Sequence, residues 1–171
     1  MGNFKKIKGT DILIEAFKIY KNRYKGNWKL KCVGNGELKS DMENITNLEF
    51  FSFSNEDELI KIASESSVFI LPSRNDQWGV VVHEFTALGF PLLISENVGA
   101  RCTFFIDNYN GLKFGNNSEE ELAYKMHLFS KMDTIDIQKM SNNSISISSR
   151  ISPHSSVANL ISVLNDNNTF N

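Results

Sequence analysis

Residues 68–95 of the chain read Val68-Phe69-Ile70-Leu71-Pro72-Ser73-Arg74-Asn75-Asp76-Gln77-Trp78-Gly79-Val80-Val81-Val82-His83-Glu84-Phe85-Thr86-Ala87-Leu88-Gly89-Phe90-Pro91-Leu92-Leu93-Ile94-Ser95. The apolar run Val68–Leu71, closed by a proline, predicts a short buried strand. Val80–Leu88 is predicted to be a helix, because Gly89 suits the position after a helix end and a proline follows closely. Pro91–Ser95 is a second apolar run of strand length. This order of strand, loop, helix and strand predicts a parallel sheet with a right-handed crossover.

The same alternation continues on both sides of this segment. Apolar residues at helical spacing predict a helix over Thr10–Tyr24 with Thr10 as its N-cap. Further helix starts are predicted from the pairs Asn55 with Glu58 and Ser118 with Glu121. Three more strands are predicted at Trp28–Val33, Leu48–Phe51 and Gly111–Phe114. The chain is therefore predicted to be an α/β protein with a parallel sheet and helices on both faces.

Separate predictions apply to the N-terminal and the C-terminal segments of the chain. No strand is predicted before the first helix, although a helix of this type normally crosses over from one. A missing strand leaves a gap or an exposed edge in the sheet, so a chain truncated at its beginning is expected. Residues 132–171 are rich in serine and asparagine and are predicted to be a polar helical tail with a frayed end. The length predicts one domain over residues 1–171.

Composition excludes several classes of function. The 171 residues carry 18 Lys and Arg against 20 Asp and Glu, and a net charge of −2 offers no general attraction for nucleic acid or an anionic membrane. No apolar run is long enough to span a membrane, and the first residues lack a secretory signal. Cys32 and Cys102 form no CxxC motif, so neither a metal site nor a disulfide framework is predicted. We expect a cytoplasmic protein without a nucleic-acid partner.

The loop before the second helix is the strongest candidate for a binding site. It is one of three loops expected at the carboxyl edge of the sheet, where such sheets bind ligands, at residues 34–37, 73–79 and 96–101. The first helical amides, around Gly79, Val80 and Val81, have no partner within the helix and attract phosphate. Asp76 and Glu84 flank this position, and carboxylates accept hydrogen bonds from sugar hydroxyls. The pattern indicates a nucleotide-sugar site, but an acidic helix start plus a solvated glutamate explains the spacing equally well.

The order and spacing of several motifs resemble a known family. Asp76 and Glu84 are eight positions apart, like the two carboxylates in the E-x7-E region of retaining GT-B glycosyltransferases of family 4. Residues 8–17, Lys8-Gly9-Thr10-Asp11-Ile12-Leu13-Ile14-Glu15-Ala16-Phe17, are similar to the block that opens that family's donor domain. Residues 34–38, Gly34-Asn35-Gly36-Glu37-Leu38, are similar to its Gly-x-Gly-x-Leu turn. The resemblance implies a Rossmann-like parallel sheet, the C-terminal half of a GT-B fold lacking its first strand.

The resemblance also implies roles for individual residues. Lys8 corresponds to the lysine that neutralises the diphosphate, Asp76 to the carboxylate that holds the donor sugar, and Glu84 to the one that contacts ribose hydroxyls. These three are the expected catalytic residues. The other expected nucleotide-sugar-binding residues are Asn3, Gly34, Phe53, Trp78, Gly79, Val80 and Val81. Asn3 stands where the family usually has an arginine, a planar charged phosphate donor that an amide cannot replace.

Some of these assignments have competing interpretations. Either Phe53 or Ser54 falls where the family contacts the base through its backbone. A tryptophan at position 78 packs beneath its loop more often than it stacks on a sugar. Arg74 and Arg101 are expected to be solvated more often than to contact phosphate. His83 is expected to pack or to face solvent, because its neighbour Glu84 points in another direction from the same helix.

The implied function is that of the donor-binding domain of a retaining glycosyltransferase. It would move a sugar from a UDP- or GDP-type nucleotide-sugar to a glycan or lipid-linked acceptor, with the nucleotide-sugar as substrate and no cofactor or metal. The acceptor-binding N-terminal domain has no counterpart here. The chain is therefore expected to be inactive alone and to need that domain or a separate chain, in the cytoplasm or peripherally at the inner face of the membrane. The alternative is a truncated, non-catalytic nucleotide-binding remnant.

Overall fold

Strands and helices alternate along the computed structural model, which describes residues 2–38, 45–52, 56–115 and 117–151. In chain order the strands are β1 (Gly2–Asn3), β2 (Leu30–Asn35), β3 (Leu48–Phe51), β4 (Phe69–Leu71), β5 (Leu92–Ser95) and β6 (Gly111–Phe114). The helices are α1 (Thr10–Arg23), α2 (Glu56–Ser64), α3 (Val80–Ala87), α4 (Arg101–Phe104), α5 (Glu119–Lys131) and α6 (Thr134–Ser148). A single turn of 3-10 helix, Lys6–Lys8, leads into α1. The predicted α/β architecture is confirmed.

The strands form two parallel sheets of three strands each. One has the order β1-β2-β3 and the other the order β4-β5-β6. β2 pairs with β3 along residues 30–33 but with β1 only at its end, where Gly2 lies opposite Gly34 and Asn3 opposite Asn35. Among the described residues the strands do not form one continuous sheet, which agrees with the gap or exposed edge expected from a missing strand. A two-residue strand, β1, does precede α1 where the sequence predicts none, because two residues are too few for a periodic pattern.

Alternate side chains of β5 enter two separate hydrophobic cores. Leu93 packs in the core that contains the buried faces of α1 and α5. Leu92 and Ile94 pack in the core that contains residues of α3, α4 and α6. Successive side chains of a strand point to opposite faces, so helices cover both faces and the ends of the strands are left for ligands.

The observed helix caps agree only in part with those predicted from the sequence. The N-cap of α1 is Gly9 in the left-handed region, not Thr10, which is the first helical residue. Ser118 caps α5 as predicted, its Oγ accepting a hydrogen bond from the amide of Glu121. The Glu121 carboxylate does not complete a capping box but accepts from the amide of Gly115. The predicted cap at Asn55 lies outside the described residues.

The predicted polar tail contains a packed helix. α6 buries Ser144 and Ile147 completely against the rest of the protein. The Ser144 Oγ donates to the carbonyl oxygen of Phe90 at 2.7 Å and accepts from Asn110 Nδ2 at 3.3 Å. Ser144 is therefore a core residue, which the prediction of a polar helical tail from composition cannot recognise. None of the helices in the described ranges has the length and apolar character needed to cross a bilayer.

The two thiols are expected to react at very different rates. Burial raises the pKa of Cys32 to about 11, whereas Cys102 is exposed. Because the thiolate is the reactive form, a disulfide reagent at about pH 8 should modify Cys102 quickly and Cys32 only after unfolding. Cys102→Ser should abolish the fast phase. Two fast equivalents per native chain would contradict the burial of Cys32.

Candidate functional site

The loop between β4 and α3 is held in place by backbone hydrogen bonds to the loop after β5. Asp76 forms an isolated bridge with Val98. Its amide donates to the carbonyl oxygen of Asn97 at 3.2 Å, and its own carbonyl oxygen accepts from the amide of Gly99 at 2.8 Å. These contacts fix the Asp76 backbone independently of any ligand, and two of the three loops expected to form the site lie side by side as a result.

The loop leads into α3 through a left-handed glycine. Gly79 has φ 78° and ψ 65° and is the N-cap of α3, with no side chain capping the helix. The amide of Val82 donates to the Gly79 carbonyl oxygen at 2.8 Å, while helix geometry leaves the amides of Val80 and Val81 without partners inside the helix. The positive end of the helix dipole is therefore available to an anion.

Lys8 reaches this helix start from a distant part of the chain. Its Nζ lies 2.9 Å from Oδ2 of Asp76, whose side chain is only 14% exposed. Lys8 ends the 3-10 turn, and Gly9 then turns the chain into α1 with φ 69°. Gly9 sits directly against the carbonyl group of Pro72, so a Cβ built there would lie 1.8 Å from the carbonyl oxygen. This close approach places the lysine over the loop.

The three expected catalytic residues line one cleft. Lys8, Asp76 and Glu84 all border it, together with Val81 at the start of α3. Glu84 lies on the exposed surface of α3, just over one turn beyond the helix start. The geometry therefore brings a cation, two carboxylates and a free helix N-terminus into one space.

The other expected binding residues lie in several different settings. Gly34 begins the part of β2 that pairs with β1, and Asn3 belongs to β1, where only its backbone is described. Val80 and Trp78 are exposed beside the start of α3, and Phe104 contacts the Trp78 ring edge-on. Neither Trp78 nor Val80 borders the cleft that Lys8 lines. The expected base contact at Phe53 or Ser54 lies outside the described residues.

His83 packs as expected. Its ring stacks on Phe104 with 4.3 Å between centroids and 10° between planes. The stacking partner comes from α4, so the imidazole joins two short helices next to the exposed Trp78. This arrangement gives His83 a packing role.

Arg74 connects four segments around the site and is not the solvated arginine that its loop position favours. Its guanidinium forms a bidentate ion pair with Asp11 at the start of α1, with Nη2 2.9 Å from Oδ2. The same group donates to the carbonyl oxygen of Lys6 and to Oδ1 of Asn117. Its amide donates to the carbonyl oxygen of Ile7 at 3.0 Å. Arg74 thus ties the turn that carries Lys8 to the loop that carries Asp76.

The ion pair of Arg74 makes stability depend on pH. Burial alone would raise the pKa of Asp11, but the hydrogen bond and charge of Arg74 outweigh it and hold the pKa below the usual 3.8. A carboxyl group whose pKa is lowered on folding contributes stability that is present above its unfolded pKa and is lost as the pH falls through its folded pKa. Asp11→Asn should therefore cost about 1 kcal/mol at neutral pH and clearly less near pH 2–3. Urea unfolding at both pH values measures this, and an equal cost at both would contradict it.

Comparison with known sequences identifies the chain's relatives. The model of the family described as glycosyl transferases group 1 matches residues 1–167. An uncharacterized glycosyltransferase of Methanocaldococcus jannaschii is 30% identical over 132 residues, which are 74% of this chain and 36% of the relative. The chain spans about a third of the length of the relatives it matches first.

Comparison with solved structures identifies the fold. The C-terminal domain of a group 1 glycosyl transferase from Francisella tularensis superposes with a TM-score of 0.75 at 18% identity, over 88% of this chain and 82% of that one. The pneumococcal O-GlcNAc transferase GtfA, solved with UDP and GlcNAc, gives a TM-score of 0.78 at 16% identity, over 96% of this chain and 35% of that one. The fold is that of the C-terminal domain of a GT-B glycosyltransferase. Because the family model spans nearly the whole sequence, the chain belongs to the glycosyl transferases group 1 family.

Proposed function

We propose that the chain is the donor-binding domain of a retaining glycosyltransferase of family 4 and that it binds a UDP- or GDP-type nucleotide-sugar. The observation that carries this proposal is the position of Lys8. Its ammonium group lies 2.9 Å from the carboxylate of Asp76, beside the uncapped start of α3, in a cleft that Glu84 also borders. The pneumococcal neighbour, which was solved with UDP and GlcNAc, supports it.

In this proposal the diphosphate binds between Lys8 and the start of α3. A lysine ammonium group has three donors, so Lys8 can keep its contact with Asp76 and still donate to a phosphate oxygen. The free amides at the start of α3 add further donors. As the sugar leaves, negative charge grows on the diphosphate, and prepositioned cations and amides stabilise that charge more strongly than the ground state.

The two carboxylates bind the two sugars of the donor. Asp76 accepts hydrogen bonds from hydroxyls of the transferred sugar, and Glu84 accepts from the ribose. Carboxylate oxygens accept hydrogen bonds, which suits hydroxyl donors. Asn3 lacks the charge of the arginine that is usual at its position in the family, so Lys8 carries most of the neutralisation.

The acceptor is bound by another domain, fused to this one or supplied as a separate chain. No described residue of this chain is assigned to acceptor activation. We therefore expect residues 1–171 to bind the donor without transferring its sugar. Turnover by this chain alone, measured as sugar transfer from a radiolabelled donor, would contradict that division of labour.

The assignments of Asp76 and Glu84 can be separated by calorimetry with UDP, GDP and their glucose conjugates. Glu84→Ala should weaken binding of the nucleotide and binding of its glucose conjugate equally, by roughly 10-fold for a lost charged hydrogen bond. Asp76→Ala should weaken binding of the conjugate more than binding of the free nucleotide. The difference arises because only the conjugate carries the sugar that Asp76 contacts.

A matched control removes the same charge elsewhere. Glu15 is exposed on α1 and, within the described ranges, forms an ion pair with Lys18 three residues along the helix, so Glu15→Ala should leave both affinities unchanged. Equal losses of affinity for both site variants with both ligands would show that Asp76 and Glu84 do not contact the transferred sugar and the ribose separately. Absence of binding to any nucleotide or conjugate by the unaltered chain would overturn the proposal itself.

A further inference from the structure

Two asparagines of the chain are followed directly by glycine, at Asn35-Gly36 and at Asn110-Gly111. In this dipeptide the asparagine side chain is open to attack by the backbone of its own chain. The nitrogen of the following residue can close a ring onto the side-chain carbonyl carbon, and a glycine has no Cβ to shield that nitrogen. Because the same short sequence occurs twice, a difference in reactivity between the two sites must come from the fold.

Asn35 lies in an exposed position at the end of β2. The amide nitrogen of Gly36 donates a hydrogen bond to Oδ1 of the Asn35 side chain at 3.0 Å. The carbonyl carbon of that side chain is one bond away from Oδ1, so the two atoms that a ring would join are close neighbours. Atoms held about 3–3.5 Å apart need little further ordering before they react.

The backbone at Asn35 is held by a short strand pairing. Asn35 lies opposite Asn3 of β1, and its carbonyl oxygen accepts a hydrogen bond from the amide of Phe4 at 2.9 Å. Ring closure rotates the Cα–C bond of Asn35 and therefore breaks the hydrogen bond from Phe4. Since β1 is only two residues long, the opening that releases this bond is local and does not require unfolding of the domain.

Asn110 has the same neighbour in a protected position. Its side chain is completely buried. Oδ1 of Asn110 accepts from the amide of Ile106 at 2.8 Å, and Nδ2 donates to the carbonyl oxygen of Phe104 at 3.0 Å. A ring closing on this side chain would break both hydrogen bonds and leave buried polar groups without partners, which is costly. The fold therefore protects Asn110 and leaves Asn35 open to attack.

We propose that Asn35 is a site of spontaneous deamidation, in which the backbone nitrogen of Gly36 displaces the side-chain amide. A bond forms between the Gly36 nitrogen and Cγ of Asn35, and the bond from Cγ to Nδ2 breaks. Nδ2 leaves as ammonia and takes the proton that the Gly36 amide loses. Water then opens the succinimide ring at either of its carbonyl groups and gives aspartate or isoaspartate. This modification stands independently of donor binding.

The products change the end of β2. Either one adds a negative charge at position 35, which makes the net charge of the chain one unit more negative than −2. Isoaspartate also lengthens the main chain by one carbon between Asn35 and Gly36. The carbonyl group that accepts from Phe4 then belongs to a free carboxylate outside the main chain. The residue that pairs with Asn3 of β1 is therefore altered in the modified protein.

The test is incubation of the native chain in mildly alkaline buffer, followed by proteolysis and mass spectrometry. Both Asn-Gly sites are followed by the mass gained when an NH2 group is replaced by OH. Asn35 should be modified at least about 10-fold faster than Asn110 in the native chain. The rate at Asn35 should rise with pH, because the attacking nitrogen must lose its proton. In urea both sites should react at similar rates, which would show that Asn110 is reactive once it is exposed.

Two variants complete the test. Gly36→Ala keeps Asn35 but places a methyl group beside the attacking nitrogen, at a position without a left-handed φ. It should slow modification of Asn35 severalfold. Asn35→Asp reproduces the charge of the aspartate product and marks its elution in ion exchange. Equal rates at Asn35 and Asn110 in the native chain would overturn the proposal, as would modification of Asn35 only after unfolding or a rate unaffected by Gly36→Ala.

Discussion

Alanine at position 9 is expected to destabilise the protein by more than about 3 kcal/mol. Gly9 combines a φ of +69° with a backbone so close to Pro72 that a Cβ would lie 1.8 Å from its carbonyl oxygen. The strain of a left-handed alanine and the clash with rigid backbone therefore add. Relief would require the turn that carries Lys8 to move away from the end of β4. Urea unfolding followed by circular dichroism measures the loss.

Two further variants separate the clash from the backbone conformation. Asparagine tolerates the left-handed region better than alanine, yet Gly9→Asn still places a Cβ against Pro72 and should remain strongly destabilised. Gly115→Ala is the control, since its nearest neighbour is the flexible carboxylate end of Glu121 at 3.0 Å and its φ is not positive. A nearly unchanged free energy of unfolding for Gly9→Asn would mean that only the backbone conformation at position 9 limits substitution and that the close approach to Pro72 does not.

Alanine at position 8 should weaken binding of a nucleoside diphosphate by about 10- to 100-fold. Lys8 is the cation next to the start of α3, where its Nζ lies 2.9 Å from Asp76. Its loss removes a charged donor and leaves the partly buried Asp76 carboxylate to repel the diphosphate. Calorimetry at low and at physiological salt measures the effect, which should shrink as salt screens the charges.

The matched control for Lys8 is Lys5, an exposed lysine just before the 3-10 turn. Lys5→Ala removes the same charge from the same end of the chain and should change diphosphate affinity less than about twofold. The nucleoside without phosphates should bind the Lys8→Ala variant as well as the unaltered chain. An equal loss for nucleoside and diphosphate would show that Lys8 acts on the fold and not on the phosphates.

Local elements were largely predictable from the sequence. The helical spacing of apolar residues from Thr10 to Tyr24 predicts α1 to within one residue of its end. The Ser118 cap and the glycine after α3 were likewise readable, because a cap depends on residues only a few positions apart. The position of the candidate binding loop between β4 and α3 follows from the same local signals.

Contacts between distant segments were not predictable. Lys8 and Asp76 are 68 positions apart, and Asp11 and Arg74 are 63 positions apart. A loop arginine gives no local signal of the carboxylate that it will meet, since the partner is set by the packing of α1 beside the loop. The separation into two sheets was predicted only as a gap or an exposed edge left by a missing strand. The sequence did not show which strands pair, since strand pairing is a property of the tertiary structure, not of any one apolar run.

α6 has a practical consequence for how the protein can be shortened. Gly89, just after α3, is packed so closely that a Cβ there would lie 3.1 Å from Ile145, and Ser144 bonds to the adjacent Phe90 carbonyl oxygen. A recombinant fragment ending at Met132 would retain every residue assigned to the donor while uncovering the rear of α3. Useful expression boundaries therefore fall after residue 151, even though nothing beyond α5 touches the ligand in the proposed arrangement.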